Sequence, residues 1–367
     1  MRWGGVLVGE VEEYKYLGLL LEKTGKWRKE KEKMLRKARM AAGMAWAMVV
    51  RVGNMTVKGM DGMWKALIRP HLEYGAEVMN SHQDYLWEDA EKLMRANGRR
   101  VLLCGSRVPN EAVMGELGWI SMLGRRMLLR LTFWGKILNM SKDRLVRQVY
   151  EVGRTRLDAN QNANTWCNLT RKWIRQLGLE EAWNKQAVDA QWREVVQRKI
   201  MQAEEQRWRR GTLSNARLEY YSMWKPRLTL EAEEYLGERE RKKRRLWTKL
   251  RAGCLELRVE TGRWEWLTVA GMQRMAPRWA RLCPLCFSEV EDAEHTILRC
   301  SAFEHLRTQF LLGAGLTGVL GHAAVEVLSG KRGREKEMWS WMMSSSGVQR
   351  SMHFLEQVMM ERAVVLG

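Results

Sequence analysis

Residues 283–300 read CPLCFSEVEDAEHTILRC, and this stretch decides the fold of the chain around it. It holds three of the six cysteines and one of the six histidines within eighteen residues. Pro284, inside the Cys-x2-Cys pair, favours a tight turn whose two sulfurs converge on one ion. The spacing predicts a single zinc ion with a ligand at each of four positions: Cys283, Cys286, His295 and Cys300.

The predicted ion is structural, because four nitrogen and sulfur ligands close a tetrahedron and leave no position for a catalytic water. The alternative is that these cysteines are simply buried in an ordinary core. The acidic residues of the intervening loop either support the site or are solvated, and solvation is favoured for Glu289, Glu291, Asp292 and Glu294. The remaining cysteines are scattered and are predicted to be reduced core thiols: Cys104, Cys167 and Cys254.

The chain carries 63 Lys and Arg against 43 Asp and Glu, a formal net charge of +20. This excess predicts a polyanionic partner, RNA and/or DNA, bound through its phosphate backbone. A basic protein that is merely soluble is the alternative, but residues 236–251 concentrate eight Lys or Arg against two Glu. The predicted phosphate contacts in this run are Arg239, Arg241, Lys242, Lys243, Arg244, Arg245, Lys249 and Arg251. A second cluster is predicted at Arg207, Arg209 and Arg210.

Tryptophan and methionine are unusually abundant, at 19 and 24 residues, while there are only five phenylalanines. Exposed aromatic faces in basic grooves stack on the bases of single strands. A G-rich coding strand is the favoured explanation for most of these tryptophans, since Trp, Met, Gly, Arg and Glu codons are rich in that base. Two tryptophans within the basic clusters are nevertheless predicted to stack on bases: Trp208 and Trp247.

The periodicity of apolar residues predicts a mainly α protein. Alternation in residues 5–22 predicts a short N-terminal β-hairpin, and later stretches have the spacing of long amphipathic helices. The expected organisation is a hairpin over 1–26, a helical domain over 27–154, a linker with long helices over 155–235, a basic segment with the zinc module over 236–312, and a helical tail over 313–367.

The sequence also indicates a compartment. Its most apolar run, about residues 38–50, is shorter than the roughly 20 residues that cross a bilayer, so no membrane association is expected. The N-terminus lacks the pattern of a secretory signal. Zinc-binding thiols without such a signal predict an intracellular protein, with nucleus and cytoplasm not distinguished.

Three segments together resemble the region that follows the polymerase palm in non-LTR (LINE-type) retrotransposon reverse transcriptases. They are YKYLGLLLEKTGKW at 14–27, IRPHLEYGAEV at 68–78 and ELGWISMLGRRMLLRL at 116–131. KLRAGCLELRVETGRW at 249–264 and the Cys-Cys-His-Cys cluster are similar to the C-terminal region of the same elements. The resemblance covers most of residues 1–312. It implies a palm-edge hairpin followed by a helical thumb-like bundle and the zinc region.

Catalysis is not expected from this chain alone. Template-directed polymerisation uses two metal ions held by grouped carboxylates, whereas the seven aspartates here are isolated from one another. In the family's layout the catalytic palm precedes residue 1. The sequence therefore predicts a nucleic-acid-binding C-terminal fragment that does not polymerise by itself. The alternative is a domesticated or decayed zinc-containing scaffold for protein interactions, with partners unknown.

Overall fold

The computed structural model confirms the mainly α class and the short N-terminal β-hairpin. It describes residues 2–3, 6–7, 9–79, 85–159, 165–269, 272–316, 318–328, 333–344 and 346–367. The chain divides into two compact units, one of Met1–Asn97 with Ile120–Arg207 and one of Gly98–Trp119 with Trp208–Gly367. Each unit is thus built from two separate stretches of sequence. The linear division into five segments stays a prediction.

The first unit opens with two antiparallel hairpins. Strands β1 (Arg2–Trp3) and β2 (Val6–Leu7) form the first, and β3 (Glu13–Tyr16) and β4 (Leu19–Glu22) form the second.

The turn between β3 and β4 consists of two residues, Leu17 and Gly18, with φ angles of 45° and 83°. Two consecutive left-handed residues match the twist of the flanking strands, which is why glycine is favoured here. The hydroxyl of Tyr74 donates a hydrogen bond to the Leu17 carbonyl, and this bond holds the turn in place.

A long helix, α1 (Arg28–Val52), follows the hairpins and ends at Gly53, whose φ is 79°. Its first turn holds a fully buried carboxylate, because Glu30 accepts the Leu20 backbone N–H at 2.7 Å and pairs with Lys33 at 2.5 Å. This contact ties the hairpin to the helix. Helix α1 begins directly after Trp27, where the helical domain is expected to start.

The next helical stretch consists of α2 (Val57–Met63), a π-helical turn (Trp64–Ile68) and α3 (Arg69–Glu73). The widened turn ends two residues before Pro70, which lacks the backbone N–H that a continuous helix needs. Four side chains spaced four residues apart are buried on one face: Met60, Trp64, Ile68 and Leu72. Leu67 lies off this face and is exposed.

Aromatic packing forms the centre of the first unit. The rings of Trp134 and Trp183 stack with centroids 6.1 Å apart, and Trp192 donates its indole N–H to the Leu131 carbonyl at 2.8 Å. The α-helices that follow along the chain are α4 (Tyr85–Val101), α5 (Asn110–Leu117), α6 (Met122–Leu138), α7 (Leu145–Asp158), α8 (Trp166–Gln176), α9 (Glu180–Trp183) and α10 (Trp192–Ser214). All of α5 and the last residues of α4 and α10 belong to the second unit. The predicted linker begins within α7, and residues 160–164 lie outside the described part.

The second unit contains a buried ionic network at its centre. Arg251 donates to Glu116 at 3.0 Å and to Glu233 at 2.7 Å, and Glu233 also accepts Lys225 at 2.5 Å. The helices of this unit are α5, α11 (Tyr221–Trp224), α12 (Arg241–Arg251), α13 (Arg258–Thr261), α14 (Glu304–Gly313), α15 (Gly318–Leu328), α16 (Glu335–Met343) and α17 (Val348–Leu366), with an antiparallel hairpin of β5 (Trp266–Val269) and β6 (Met272–Met275). Within the described ranges, no helix combines the length and the apolar character needed to cross a bilayer.

Candidate metal centre

The four predicted ligands lie together in the second unit. One ligand atom from each of Cys283, Cys286, His295 and Cys300 falls within 4.8 Å of the other three. The sulfurs of Cys283 and Cys300 are 3.8 Å apart, and the Cys286 sulfur is 3.2 Å from Nε2 of His295. Three of the four residues are buried, and Cys286 is partly exposed.

The first two ligands are placed by a backbone turn. The Cys283 N–H donates to the Glu289 carbonyl at 2.8 Å, and the Phe287 N–H donates to the Cys283 carbonyl at 2.9 Å. Phe287 has a φ of 58°, a left-handed conformation that reverses the chain directly after Cys286. The loop therefore folds back with both sulfurs near one point.

The other two ligands bracket a single π-helical turn, His295–Arg299. The Asp292 carboxylate accepts the His295 backbone N–H at 2.9 Å, and the Cys300 N–H donates to the His295 carbonyl at 2.6 Å. One π-turn brings the side chains at its two ends to the same side. Asp292 thus caps this turn.

The geometry is compatible with one zinc ion. Tetrahedral zinc with Zn–S bonds of about 2.3 Å places sulfur atoms roughly 3.8 Å apart, which is the separation found between Cys283 and Cys300. Nε2 of His295 faces the sulfurs, while Nδ1 lies 3.5 Å from the Glu289 carboxylate. A carboxylate beside the non-ligating nitrogen orients the ring and selects the tautomer that binds metal through Nε2.

The ligands titrate differently because their surroundings differ. Burial raises the pKa of the Cys300 thiol to about 12 and also raises that of Cys283. Burial also acts on Cys286, but hydrogen bonds from Ser288 outweigh it and leave its pKa below the ordinary thiol value. Burial lowers the pKa of His295, which keeps the imidazole neutral as a metal ligand requires.

The acidic loop between the ligands is structural, so the expectation that it is solvated was wrong for Glu291. This carboxylate is fully buried and accepts two hydrogen bonds from Arg362, at 2.6 and 2.9 Å, and one from the Arg258 backbone N–H at 2.7 Å. Glu294 accepts the Tyr220 hydroxyl at 2.8 Å and pairs with Arg299. The sequence did not predict the role of Arg362, because Arg362 and Glu291 are 71 positions apart and no local spacing links them.

The predicted phosphate contacts on the basic run divide into three groups. Arg239, Arg241 and Arg245 are exposed and form no ion pair with the residues that the structure describes. The three lysines each lie near a carboxylate. Lys242 is 3.4 Å from Glu356. Lys243 pairs with Glu240 at 2.6 Å, and Lys249 pairs with Glu256 at 2.6 Å.

Arg244 and Arg251 form the third group, and both are buried. Arg244 donates to the Glu238 carbonyl, and Arg251 belongs to the central ionic network. Their predicted roles as phosphate contacts are therefore corrected to structural ones. Burial is the physical reason, because each guanidinium already satisfies protein acceptors.

The two predicted stacking residues are also core residues. Trp247 has no exposed surface, and Trp208 is only 5% exposed, with its indole N–H donated to the Glu111 carbonyl at 2.8 Å. Neither ring face is accessible to a base in this fold. Trp208 continues the four-residue spacing of Trp192, Val196 and Ile200 along α10, and this apolar periodicity was the signal for a core position.

In the second cluster, Arg209 and Arg210 are exposed and make no ion pair within the described part of the chain. Arg207 is nearly half exposed but is held by the Glu204 carboxylate and by the Ser121 hydroxyl, to which it donates at 2.6 Å. Two of the three predicted contacts are thus free to meet a phosphate.

Comparisons with protein-family models, with curated proteins and with solved structures give no match to this chain. The resemblance to retrotransposon reverse transcriptases therefore stays a prediction carried by the sequence segments quoted above.

Proposed function

We propose that this chain is a nucleic-acid-binding protein stabilised by one structural zinc ion, with no polymerase activity of its own. The segments quoted above support its origin as the C-terminal part of a non-LTR retrotransposon reverse transcriptase. The observation that carries the proposal is the set of unneutralised arginines on and before helix α12: Arg239, Arg241 and Arg245.

These arginines suit a phosphate backbone. Arginine is always charged and offers a planar fork of donors that matches phosphate oxygens. Helix α12 is held rigidly underneath them, because Trp247 is fully buried and Arg251 is fixed by Glu116. Cations on a rigid helix lose little freedom on binding, which favours tight electrostatic association.

The zinc cluster supports this function by fixing the same unit. Glu291, in the zinc loop, pairs with Arg362 on α17. Helix α17 also contacts α12, because its Glu356 lies 3.4 Å from Lys242. Zinc binding and the position of the basic helix are therefore coupled through α17. Loss of the ion is expected to weaken nucleic-acid binding.

The test measures binding of a fluorescein-labelled 20-nucleotide RNA by anisotropy over a series of NaCl concentrations. Each phosphate contact contributes about 0.7 to the salt slope on a single strand. Replacing Arg239, Arg241 and Arg245 with glutamine is expected to lower that slope by about 2 and to weaken binding at low salt.

A matched control removes the same charge elsewhere. Lys172, Arg175 and Lys185 are exposed in the first unit, and their replacement by glutamine is expected to change the slope by far less. Equal effects of the two triple variants would mean that binding follows net charge alone, and would contradict a role for α12.

A scaffold for protein interactions is the second candidate, and one observation favours it. Met40, Met44 and Met48, spaced one helical turn apart on α1, are 62, 73 and 53% exposed. Flexible methionine side chains suit a partner-binding face. Absence of any RNA or DNA binding at low salt would support this second function over the first.

The absence of polymerase activity is tested by primer extension with Mg²⁺ and a poly(rA) template. No incorporation is expected. Sustained extension would overturn this part of the proposal.

A further inference from the structure

Three tryptophans near the zinc cluster are among the most exposed large apolar residues of the chain. Trp264, Trp266 and Trp279 are 67, 62 and 66% exposed. Exposing an indole to water is unfavourable unless the ring serves a contact. This part of the second unit therefore presents an aromatic surface, where sequence reasoning had placed base stacking on the buried Trp208 and Trp247.

The hairpin of β5 and β6 carries part of this surface. Trp266 lies directly opposite Met275 in the antiparallel register, so the two side chains share one face of the hairpin. All four residues of β6 are exposed. Because β6 is exposed along its whole length, its side chains are accessible to an external ligand.

A cavity of about 200 Å³ is lined by residues that neighbour two of the three tryptophans in sequence. It is lined by four arginines, Arg217, Arg263, Arg278 and Arg281, and by three carboxylates, Glu219, Glu260 and Asp292. Trp264 directly follows Arg263 in the chain and Trp279 directly follows Arg278. The two arginines line the cavity, and the exposed indoles lie on the same two segments of chain.

Two of the lining arginines are already committed within the protein. Arg281 donates to the backbone carbonyls of Ala276 and Val259, and Arg217 donates to Glu260 at 2.8 Å. The other two retain donor capacity.

Arg278 is the more accessible of the two that remain. Its side chain is 56% exposed, and its ion pair with Asp292 is 3.2 Å long. Arg263 pairs with Glu260 through one terminal nitrogen, while its buried Nε has no hydrogen-bond partner among the described residues. The Arg263 side chain as a whole is 33% exposed, so its accessible part can meet an external anion.

The local charge also favours an anion. Residues 258–282 contain five arginines and two glutamates, hence a net charge of +3, and Arg274 on β6 is exposed among them. Arginines interleaved with exposed tryptophans match a chain of alternating phosphates and bases.

We infer that this surface binds single-stranded nucleic acid, with bases stacking on Trp264, Trp266 and Trp279 and phosphates meeting Arg263, Arg274 and Arg278. The inference rests on the proposed function and specifies the form of its ligand. A duplex keeps its base faces stacked internally, so it gains little from these rings. The surface therefore confers preference for a single strand over a duplex.

The test compares two labelled probes, a 15-nucleotide oligo(U) and a 15-base-pair duplex RNA, bound to the full zinc-loaded chain. A stacked base is worth at least about fivefold in affinity. Replacing Trp264, Trp266 and Trp279 together with alanine is expected to weaken oligo(U) binding by about 100-fold and duplex binding by less than twofold. Since no charge is removed, the salt slope is expected to stay the same.

Two controls keep the result interpretable. Leu145 and Val149 are exposed apolar residues of α7, and their replacement with alanine removes apolar surface without removing a ring. Trp279→Phe keeps an aromatic face and is expected to retain most of the affinity. Zinc content and circular dichroism of each variant establish that the fold is intact.

The outcomes separate this inference from the proposed function. If the alanine variant binds oligo(U) as the unchanged chain does, while glutamines at Arg239, Arg241 and Arg245 still weaken binding, the stacking surface is refuted and the function stands. Equal weakening of both probes would also overturn the inference. If the unchanged chain binds neither probe at low salt, the proposed function itself fails.

Discussion

Replacing Glu291 with glutamine should unfold the zinc loop at a markedly lower urea concentration. The carboxylate is fully buried, accepts two hydrogen bonds from Arg362 and accepts one from the Arg258 backbone N–H. Hydrogen bonds to charged groups contribute about 1.5–3 kcal/mol each. The Arg362 side chain keeps 14% exposure and so recovers some hydration. We therefore expect a total loss of about 3 kcal/mol rather than the full sum.

Zinc release reports this loss directly. Urea is increased in the presence of the chromogenic chelator 4-(2-pyridylazo)resorcinol, and the midpoint of zinc release is recorded. With a urea dependence of about 2 kcal/mol per molar, a loss of 3 kcal/mol lowers the midpoint by about 1.5 M.

The matched control is Glu256→Gln, which removes an exposed partner of Lys249. An exposed ion pair contributes about 0.2–1 kcal/mol, so its midpoint should fall by less than about 0.5 M. A double-mutant cycle adds Arg362→Gln, and the two losses should combine to less than their sum because they remove the same contact. Equal shifts for Glu291→Gln and Glu256→Gln would refute the reasoning that the buried pair anchors the loop.

Three further predictions concern the metal and the core. Cys300→Ser should bind less than one zinc per chain, measured by atomic emission, and full zinc content would refute its assignment as a ligand. Trp247→Ala should destabilise the second unit by about 3–5 kcal/mol, since a fully buried ring leaves a cavity, and an unchanged denaturation midpoint would count against its core position. The three thiols outside the cluster should resist N-ethylmaleimide at pH 8 in the native chain. Burial raises the pKa of Cys104 and Cys167 to about 11 and that of Cys254 to about 12, so very little of the reactive thiolate is present at pH 8. Mass spectrometry counts the modified thiols, and rapid labelling of these three without denaturant would contradict that burial.

Local patterns were sufficient to predict the mainly α class, the short N-terminal β-hairpin and the four clustered ligands. The Cys-x2-Cys spacing determines its own turn, and helix α5 ends at Leu117, directly before a glycine. The residue after it, Gly118, has a φ of 63° that favours glycine. Such features depend on neighbours within a few positions, so a single sequence contains them.

Long-range contacts could not be predicted in the same way. Nothing in the run RKKRRLWTKLR reveals that Arg251 meets Glu116, 135 positions away, and charge clustering alone assigned it to phosphate. Helical spacing did contain part of the answer, because Arg244, Trp247 and Arg251 fall on one face of α12 and all three are buried. Combining charge with periodicity would have divided the basic run into an inner and an outer face.

The contact between Glu116 and Arg251 also has a consequence for biosynthesis. Residues 98–119 leave the ribosome ahead of residues 120–207 but pack with residues 208–367. Apolar side chains such as Val113 and Leu117, fully covered in the finished fold, therefore stay uncovered on the nascent chain while the intervening stretch is made. We expect this delay to make the emerging polypeptide a client of chaperones, and pieces that stop before residue 208 to aggregate.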